Sequence, residues 1–339
     1  MAIRDVHHFN SIDSMKTKSP LVSMIIPVYG VEKYISECAH SLFSQTYDNI
    51  ECIFVNDCTE DRSMEVLQEI IDLYPGRKPF CRIINHKQNL GLAGARCTGI
   101  SYAEGEYIMH VDSDDYLELN AVELLVEKAQ ASKADIVVGG FYRTFDSRHR
   151  TRVLPEHLEK DEYICRILNM SVYTNVWGKL YSSVLYSDGY DTMPVIGINH
   201  GEDFVTLPRL LYYSEKIAYL DAPVYNYVVY NANSYTRNFN EKSMDNLVEA
   251  NRVLHDFFAD KIESDVLELA LLRTQLAMYK YCNIKLFPDI KALYPTDLMK
   301  HKDKLSWADR ILIYLIDHGM YDLAVIYMKA GLKLLSYVR

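Results

Sequence analysis

The segment richest in chemistry is Asp112-Ser-Asp-Asp115, which ends the apolar run Tyr107–Val111. Asp112 and Asp114 alternate, so both side chains can point the same way. Two carboxylates about 6 Å apart at an effective dielectric of about 20 repel by roughly 3 kcal/mol. A proton or a cation between them removes that cost. Mg²⁺ or Mn²⁺ typically takes one or two carboxylates and fills its shell with water and phosphate oxygens. An Asp-x-Asp that ends a buried strand therefore suits a metal diphosphate. The structural alternative is a solvated turn capping a helix that starts near Asn120.

Other segments carry weaker signals. Gly91-Leu-Ala-Gly-Ala-Arg96 reads as a glycine-containing loop entering a helix, where free backbone N–H groups favour anions. It is neither G-x-G-x-x-G nor a phosphate loop ending in G-K-[ST]. Arg96 either reaches a diphosphate or makes an ion pair on the helix surface. Asp57 either accepts from a base N–H or caps a helix beginning near Asp61, and Tyr29 either stacks on a base or covers the sheet edge. Gly201-Glu202-Asp203 precedes a helix, and acids in a first turn are ordinary dipole partners. A carboxylate is also the usual group to take a proton from a sugar hydroxyl. His200 is a weaker candidate for a third metal ligand. Tyr225, Tyr227, Tyr230 and Tyr235 offer faces for sugar rings, although strand packing explains most of them.

These residues need a scaffold, and its rhythm is regular from Pro20. Apolar runs at Leu21–Val28, Glu51–Val55, Arg82–Ile84, Tyr107–Val111 and Ile136–Gly139 recur at the spacing of βαβ units. They are continuously apolar, as strands covered on both faces are. Helical stretches lie between them at Glu32–Ser44, Arg62–Tyr74, Leu92–Ala103 and Ala121–Ser132. The fold class is α/β, with a mostly parallel, doubly wound sheet. Ligands of such sheets bind beyond the carboxyl ends of the strands, which is where Asp57, Asp112 and Asp114 fall. Further on the pattern predicts a helix near Glu162–Met170, a helix after Asp203, and two strands at Lys216–Leu220 and Val224–Val229. From about Asn240 it is helical, over Leu247–Phe258, Val266–Asn283 and Trp307–Asp317, with a boundary near 238–245.

Composition bounds the rest. Lys+Arg number 36 against 46 Asp+Glu, a net charge of -10, which disfavours a nucleic-acid binder. The seven scattered cysteines contain no C-x-x-C pair, so neither a disulfide framework nor a zinc site is expected, and a reducing cytoplasm fits. The first 19 residues lack an apolar signal core, and no run approaches the roughly 20 apolar residues that span a bilayer.

Taken in order, Val22-Ser-Met-Ile-Ile-Pro-Val-Tyr29, Ser44-Gln-Thr-Tyr47, Ile53-Phe-Val-Asn-Asp57, Asn89–Arg96 and Asp112–Asp115 resemble the family-two glycosyltransferases of GT-A fold. Trp177-Gly-Lys-Leu-Tyr181, Gly201-Glu-Asp203 and Asn233-Ser-Tyr-Thr236 extend the likeness to about Phe239. The likeness covers a catalytic domain (20–239), and the residue pattern adds an N-terminal polar segment (1–19) and a helical C-terminal region (240–339). The resemblance implies an inverting transferase moving a sugar from a nucleotide diphosphate, most often UDP, to a saccharide or lipid-linked saccharide acceptor in cell-surface polysaccharide or glycoconjugate synthesis. On the matching positions, Pro27, Tyr29 and Asp57 would face the base and Glu32 the ribose side. Arg96 would face the uridine or diphosphate, Asp112 the ribose or metal, and Asp114 would ligate Mn²⁺ or Mg²⁺. Asp203 would be the general base, with Glu202 orienting substrate.

Three positions depart from the family pattern: Gly30 replaces a common Asn, Asn56 a frequent Asp, and Cys58 a frequent Gly at a turn that often needs positive φ. Two rivals remain at this stage, a nucleotidyltransferase and a non-catalytic sugar-binding or scaffold subunit. The C-terminal helices are expected to pack on the catalytic domain or on a second copy in a homo-oligomer. The second reading is an interfacial helix at the inner face of the membrane.

Overall fold

The computed structural model describes residues 19–146, 149–231, 241–281 and 302–336. It begins with alternating strands and helices: β1 (Val22–Val28), α1 (Ile35–Phe43), β2 (Ile50–Asn56), α2 (Ser63–Leu73), β3 (Cys81–Asn85), α3 (Gly91–Ser101) and β4 (Tyr107–His110). These four strands are parallel in the order β3-β2-β1-β4. Every residue of β1 is buried, as expected of a strand covered on both faces.

The chain continues through β5 (Tyr116–Leu117), α4 (Ala121–Ser132), β6 (Ile136–Thr144), β7 (Arg150–Val153), α5 (Lys160–Leu168), β8 (Lys179–Ser182), α6 (Glu202–Tyr213) and β9 (Ile217–Val228). The sheet extends past β4 in the order β8-β6-β9-β5, with β7 beside β6. β8 is antiparallel to both β4 and β6, and β9 is parallel to β6. One half is thus purely parallel and the other mixed.

Two expectations are corrected here. The strands read at Lys216–Leu220 and Val224–Val229 are one strand, β9, carrying Pro223 at its centre. The register slips at Gly139 and Gly140, opposite Pro223, and that irregularity accommodates a residue without an N–H. The fourth strand ends at His110 rather than Val111. β5, β7 and β8 are two to four residues long, too short for a pattern to register.

Four further helices complete the described chain: α7 (Glu241–Phe258), α8 (Ser264–Tyr281), α9 (Trp307–Asp317) and α10 (Tyr321–Ser336). One hydrophobic cluster runs from Ile136 of β6 to Ala324 of α10, so these helices share a core with the sheet. Asn246 of α7 caps the loop before α6, its Oδ1 accepting from the backbone N–H groups of Asn199 and His200. Among the described residues no helix is long and apolar enough to cross a membrane. The Asn233–Thr236 stretch and the first 18 residues lie outside the described residues.

Two backbone details position the site. Cys58 takes the left-handed conformation, φ 57°, that the Gly-preferring turn demands, and its Sγ donates to His86 O at 3.0 Å. Gly99 lets α3 press on β1: a Cβ there would sit 2.3 Å from Ile25 Cγ2. Ile25 is fully buried and has no room to give. Gly99→Ala should therefore lose about 1–2 kcal/mol, overpacking outweighing the roughly 1 kcal/mol that Ala gains over Gly in a helix. Urea unfolding measures this, and unchanged or raised stability would mean that the α3–β1 contact is loose.

Candidate active site

The carboxyl ends of β1, β2 and β4 and the start of α6 converge on one edge of the sheet. Asp57 follows β2 and is buried. Its Oδ1 accepts the Leu90 N–H at 2.7 Å and pairs with His86 Nδ1 at 2.7 Å; its Oδ2 accepts the Gly91 N–H at 2.8 Å. The anion at the N-terminus of α3 is thus the protein's own carboxylate. This corrects two sequence expectations. The Gly91 turn does not keep these N–H groups free for a ligand, and Asp57 caps α3 rather than the helix after Asp61. Asp61 itself serves α2, accepting from Ser63 N at 3.1 Å and Thr59 Oγ1 at 2.7 Å. Burial opposes its charge, but the hydrogen bonds from Ser63 and Thr59 hold its carboxyl below the usual carboxylate range.

Arg96, one turn into α3, is 1% exposed rather than on the helix surface. Its Nε donates to Glu202 Oε1 at 2.7 Å and its Nη2 to Asp112 Oδ1 at 2.7 Å, with Asp203 Oδ1 at 3.8 Å. Burial disfavours the guanidinium charge. Glu202, Asp112 and Asp203 outweigh that and hold Arg96 firmly protonated. One cation thereby joins the acids after β4 to those opening α6. Asp203 is pushed well above the usual carboxylate range by burial and then by Glu202 alongside, with Arg96 and Lys179 opposing.

Beyond β4 the chain turns, the Asp115 N–H donating to Asp112 O at 3.0 Å. That turn defeats simple strand alternation. It brings Asp115 beside Asp112 and Asp114, with one oxygen of each within 4.8 Å of the others. The third member of the acidic set is therefore Asp115 and not His200, which does not join this cluster among the described residues. Burial, then Asp112, pushes Asp114 up to about 6. Burial, then Asp114 and Asp112, lifts Asp115 well above its usual range. Asp114 Oδ2 accepts from Asn231 Nδ2 at 2.7 Å, and Asp115 Oδ1 accepts the Val228 N–H at 2.7 Å. Asp115 Oδ2 is buried with no partner among the described residues. Three hard oxygen donors and an orphaned carboxylate oxygen fit a divalent cation such as Mg²⁺ or Mn²⁺.

The remaining predicted residues form a rim. Tyr29 is exposed at the end of β1, whereas Pro27 is buried within it. Glu32 Oε2 accepts the Arg62 N–H at 3.2 Å. Tyr225 is buried, stacks on Trp177 at 4.5 Å between centroids, and its Oη accepts the Asp112 N–H at 3.0 Å. It supports the acidic turn instead of facing a sugar. Sequence reasoning missed Asp115, His86, Asn231 and the buried His110. Burial, then Arg96, holds the His110 imidazole well below its usual range and so neutral. Asp115 had a visible signal as the third acid of the run; the others are set by tertiary contacts.

Residues 23–190 match the family model of glycosyl transferase family 2, and the chain belongs to that family. It is 33% identical over 246 residues to the glycosyltransferase GlyA of Streptococcus pneumoniae, covering 68% of this chain and 33% of GlyA. It is 40% identical over 116 residues to the hyaluronan synthase of Pasteurella multocida, covering 34% of this chain and 11% of the synthase. The chain thus spans about a third or less of these relatives' lengths. Staphylococcus aureus TarS 1–349 in complex with UDP-GlcNAc shares its fold with TM-score 0.61, 16% identity and 92% coverage of each chain. The mannosyltransferase PcManGT of Pyrobaculum calidifontis, in complex with GDP-Man and Mn²⁺, does so with TM-score 0.51 and 16% identity over 94% of this chain and 88% of that one. The fold is the GT-A type with added C-terminal helices.

Removing Arg96 would leave Glu202 and Asp112 without their cation. Arg96→Met should cost about 3–5 kcal/mol, the usual penalty for breaking a buried ion pair from one side. Chemical denaturation reads the loss, and a cost under about 1 kcal/mol would show that these acids do not depend on Arg96.

Proposed function

We propose that the chain transfers a sugar from a nucleotide diphosphate donor, a UDP-sugar, to an acceptor hydroxyl with inversion, in the synthesis of a cell-surface polysaccharide or glycoconjugate. The observation that carries this reading is the bridge from Asp112 through buried Arg96 to Glu202, with Asp203 beside it. It sets a diphosphate-suited acidic cluster next to a carboxylate able to accept a proton. The relatives' names, with a hyaluronan synthase among them, support a polysaccharide context.

In this reading Asp203 takes the proton of the acceptor hydroxyl as that oxygen attacks the anomeric carbon. The bond from that carbon to the diphosphate oxygen breaks on the opposite face. A carboxylate whose proton affinity is raised by burial is a stronger base than a free one. Glu202, fixed by Arg96 Nε, orients that pair, and Arg96 Nη2 holds Asp112 in the diphosphate region. Asp112, Asp114 and Asp115 would hold Mn²⁺ or Mg²⁺, which when bound offsets charge on the leaving diphosphate. Pro27, Tyr29 and Asp57 are assigned to the base side and Glu32 to the ribose side. The catalytic region is assigned to residues 20–239, with 240–339 as its helical companion.

Asp203→Asn should keep UDP binding within about twofold and lower transfer by roughly 10²–10⁴, the usual worth of a general base. A UDP-release assay beside calorimetry separates the two, and near-normal transfer would remove Asp203 from the role. The rate should also fall as pH drops, because protonated Asp203 accepts nothing. The acid limb should lie above the usual carboxylate value of 3.8, in the direction burial and Glu202 push. Mn²⁺ should raise the melting temperature of the wild type and leave Asp114→Ala unmoved; an equal shift in both would place the ion elsewhere.

A further inference from the structure

The sheet carries a second concavity, separate from the acidic edge. Residues of β6, β7 and α5 with the 170–175 segment enclose a cavity of about 340 Å³, and no residue of β1, β2 or β4 lines it. Phe141, Tyr163 and Tyr173 give it aromatic walls, with Phe141 and Tyr173 meeting edge to face at 5.1 Å. Lys179 of β8 supplies its cation. That side chain is 2% exposed, and Nζ donates to Asn175 O at 2.5 Å, its one hydrogen bond among the described residues.

A buried ammonium with one carbonyl partner is under-satisfied, since it has three donors and a full charge. Burial brings Lys179 down to about 7, and the charge that opposes this is Asp203. Lys179 therefore couples the cavity electrically to the carboxylate assigned as base. Of the other titratable groups facing the cavity, Glu156 is engaged by Arg166 at 2.6 Å, and burial keeps the Tyr163 phenol neutral. Neither supplies Lys179 with a counter-charge.

We propose that this cavity is an acceptor subsite for a saccharide unit carrying an anionic group, a carboxylate or a phosphate ester, held by Lys179. The inference rests on the transferase reading above. The apolar face of a sugar ring packs on Phe141 and Tyr173, as carbohydrate rings do on aromatic side chains. The anionic oxygen completes the lysine's coordination with a charge-assisted hydrogen bond, about twice as strong as a neutral one. The volume is at the lower end of small-ligand pockets, enough for one sugar unit.

Calorimetry of the full chain with methyl glucuronide, glucose 6-phosphate and methyl glucoside tests this. At least one anionic probe should bind tenfold or more tightly than methyl glucoside, and the stronger of the two names the source of the charge. Lys179→Met should reduce that probe to the level of the neutral one. Affinity in the wild type should fall from pH 6 to pH 9 as the ammonium is lost. Should Lys179→Met not fold, Tyr173→Ala, at a half-exposed position, should weaken all three probes in a folded chain. Equal affinity for all three probes, indifference to both variants, or no binding overturns the inference. UDP-sugar binding to the wild type is measured in parallel. If it is intact while the anionic probes fail, the subsite alone falls; if it is absent while they bind, the transferase reading falls and the cavity stands.

Discussion

A single buried guanidinium organises this protein. Arg96 is 1% exposed, where bulk solvent screens its charge little, so breaking its ion pairs with Glu202 and Asp112 is costly. Those partners come from separate parts of the chain, Asp112 lying 16 residues and Glu202 106 residues from Arg96 in sequence. Fixing Arg96 therefore fixes α3 and α6 relative to the turn after β4. Gly99, three residues on in α3, lets that helix press close on Ile25 of β1.

Around that cation the fold accumulates negative charge at a cost. Asp112, Asp114 and Asp115 have one oxygen each within 4.8 Å of the others, and burial pushes all three carboxyls upward, with Asp203 adding to it at Asp112 and the neighbouring acids of the cluster at Asp114 and Asp115. A site selected only for stability would not hold three acids this close. By contrast, the N-terminus of α3, an inviting anion site, is satisfied internally by Asp57. The protein thus closes one electrostatic site with its own side chain and leaves the other as three carboxyls held close together.

Much of this was legible in the sequence, for identifiable reasons. The parallel strands announce themselves because burial on both faces makes them continuously apolar, and Val22–Val28 is the clearest case. The acidic residues were legible because they end such strands. What the pattern could not give was direction in turns. Strand alternation placed Asp112 and Asp114 together but not Asp115, because His110 ends the strand and a turn follows. Arg96 stayed divided between a diphosphate contact and a surface ion pair because nothing local shows that Glu202 will meet it. Cys58 was flagged by its rarity at a Gly position, and the backbone there does adopt positive φ. β8, four residues long, escaped notice although it carries Lys179.

What is proposed for this acidic edge is a displacement with inversion. The most direct measurement is nuclear magnetic resonance of the reaction as it proceeds, with an α-linked UDP-sugar, diamagnetic Mg²⁺ as the ion, and a panel of saccharide acceptors. The account predicts that UDP appears in step with a β-linked product. An α-linked product, or pyrophosphate in place of UDP, would contradict it.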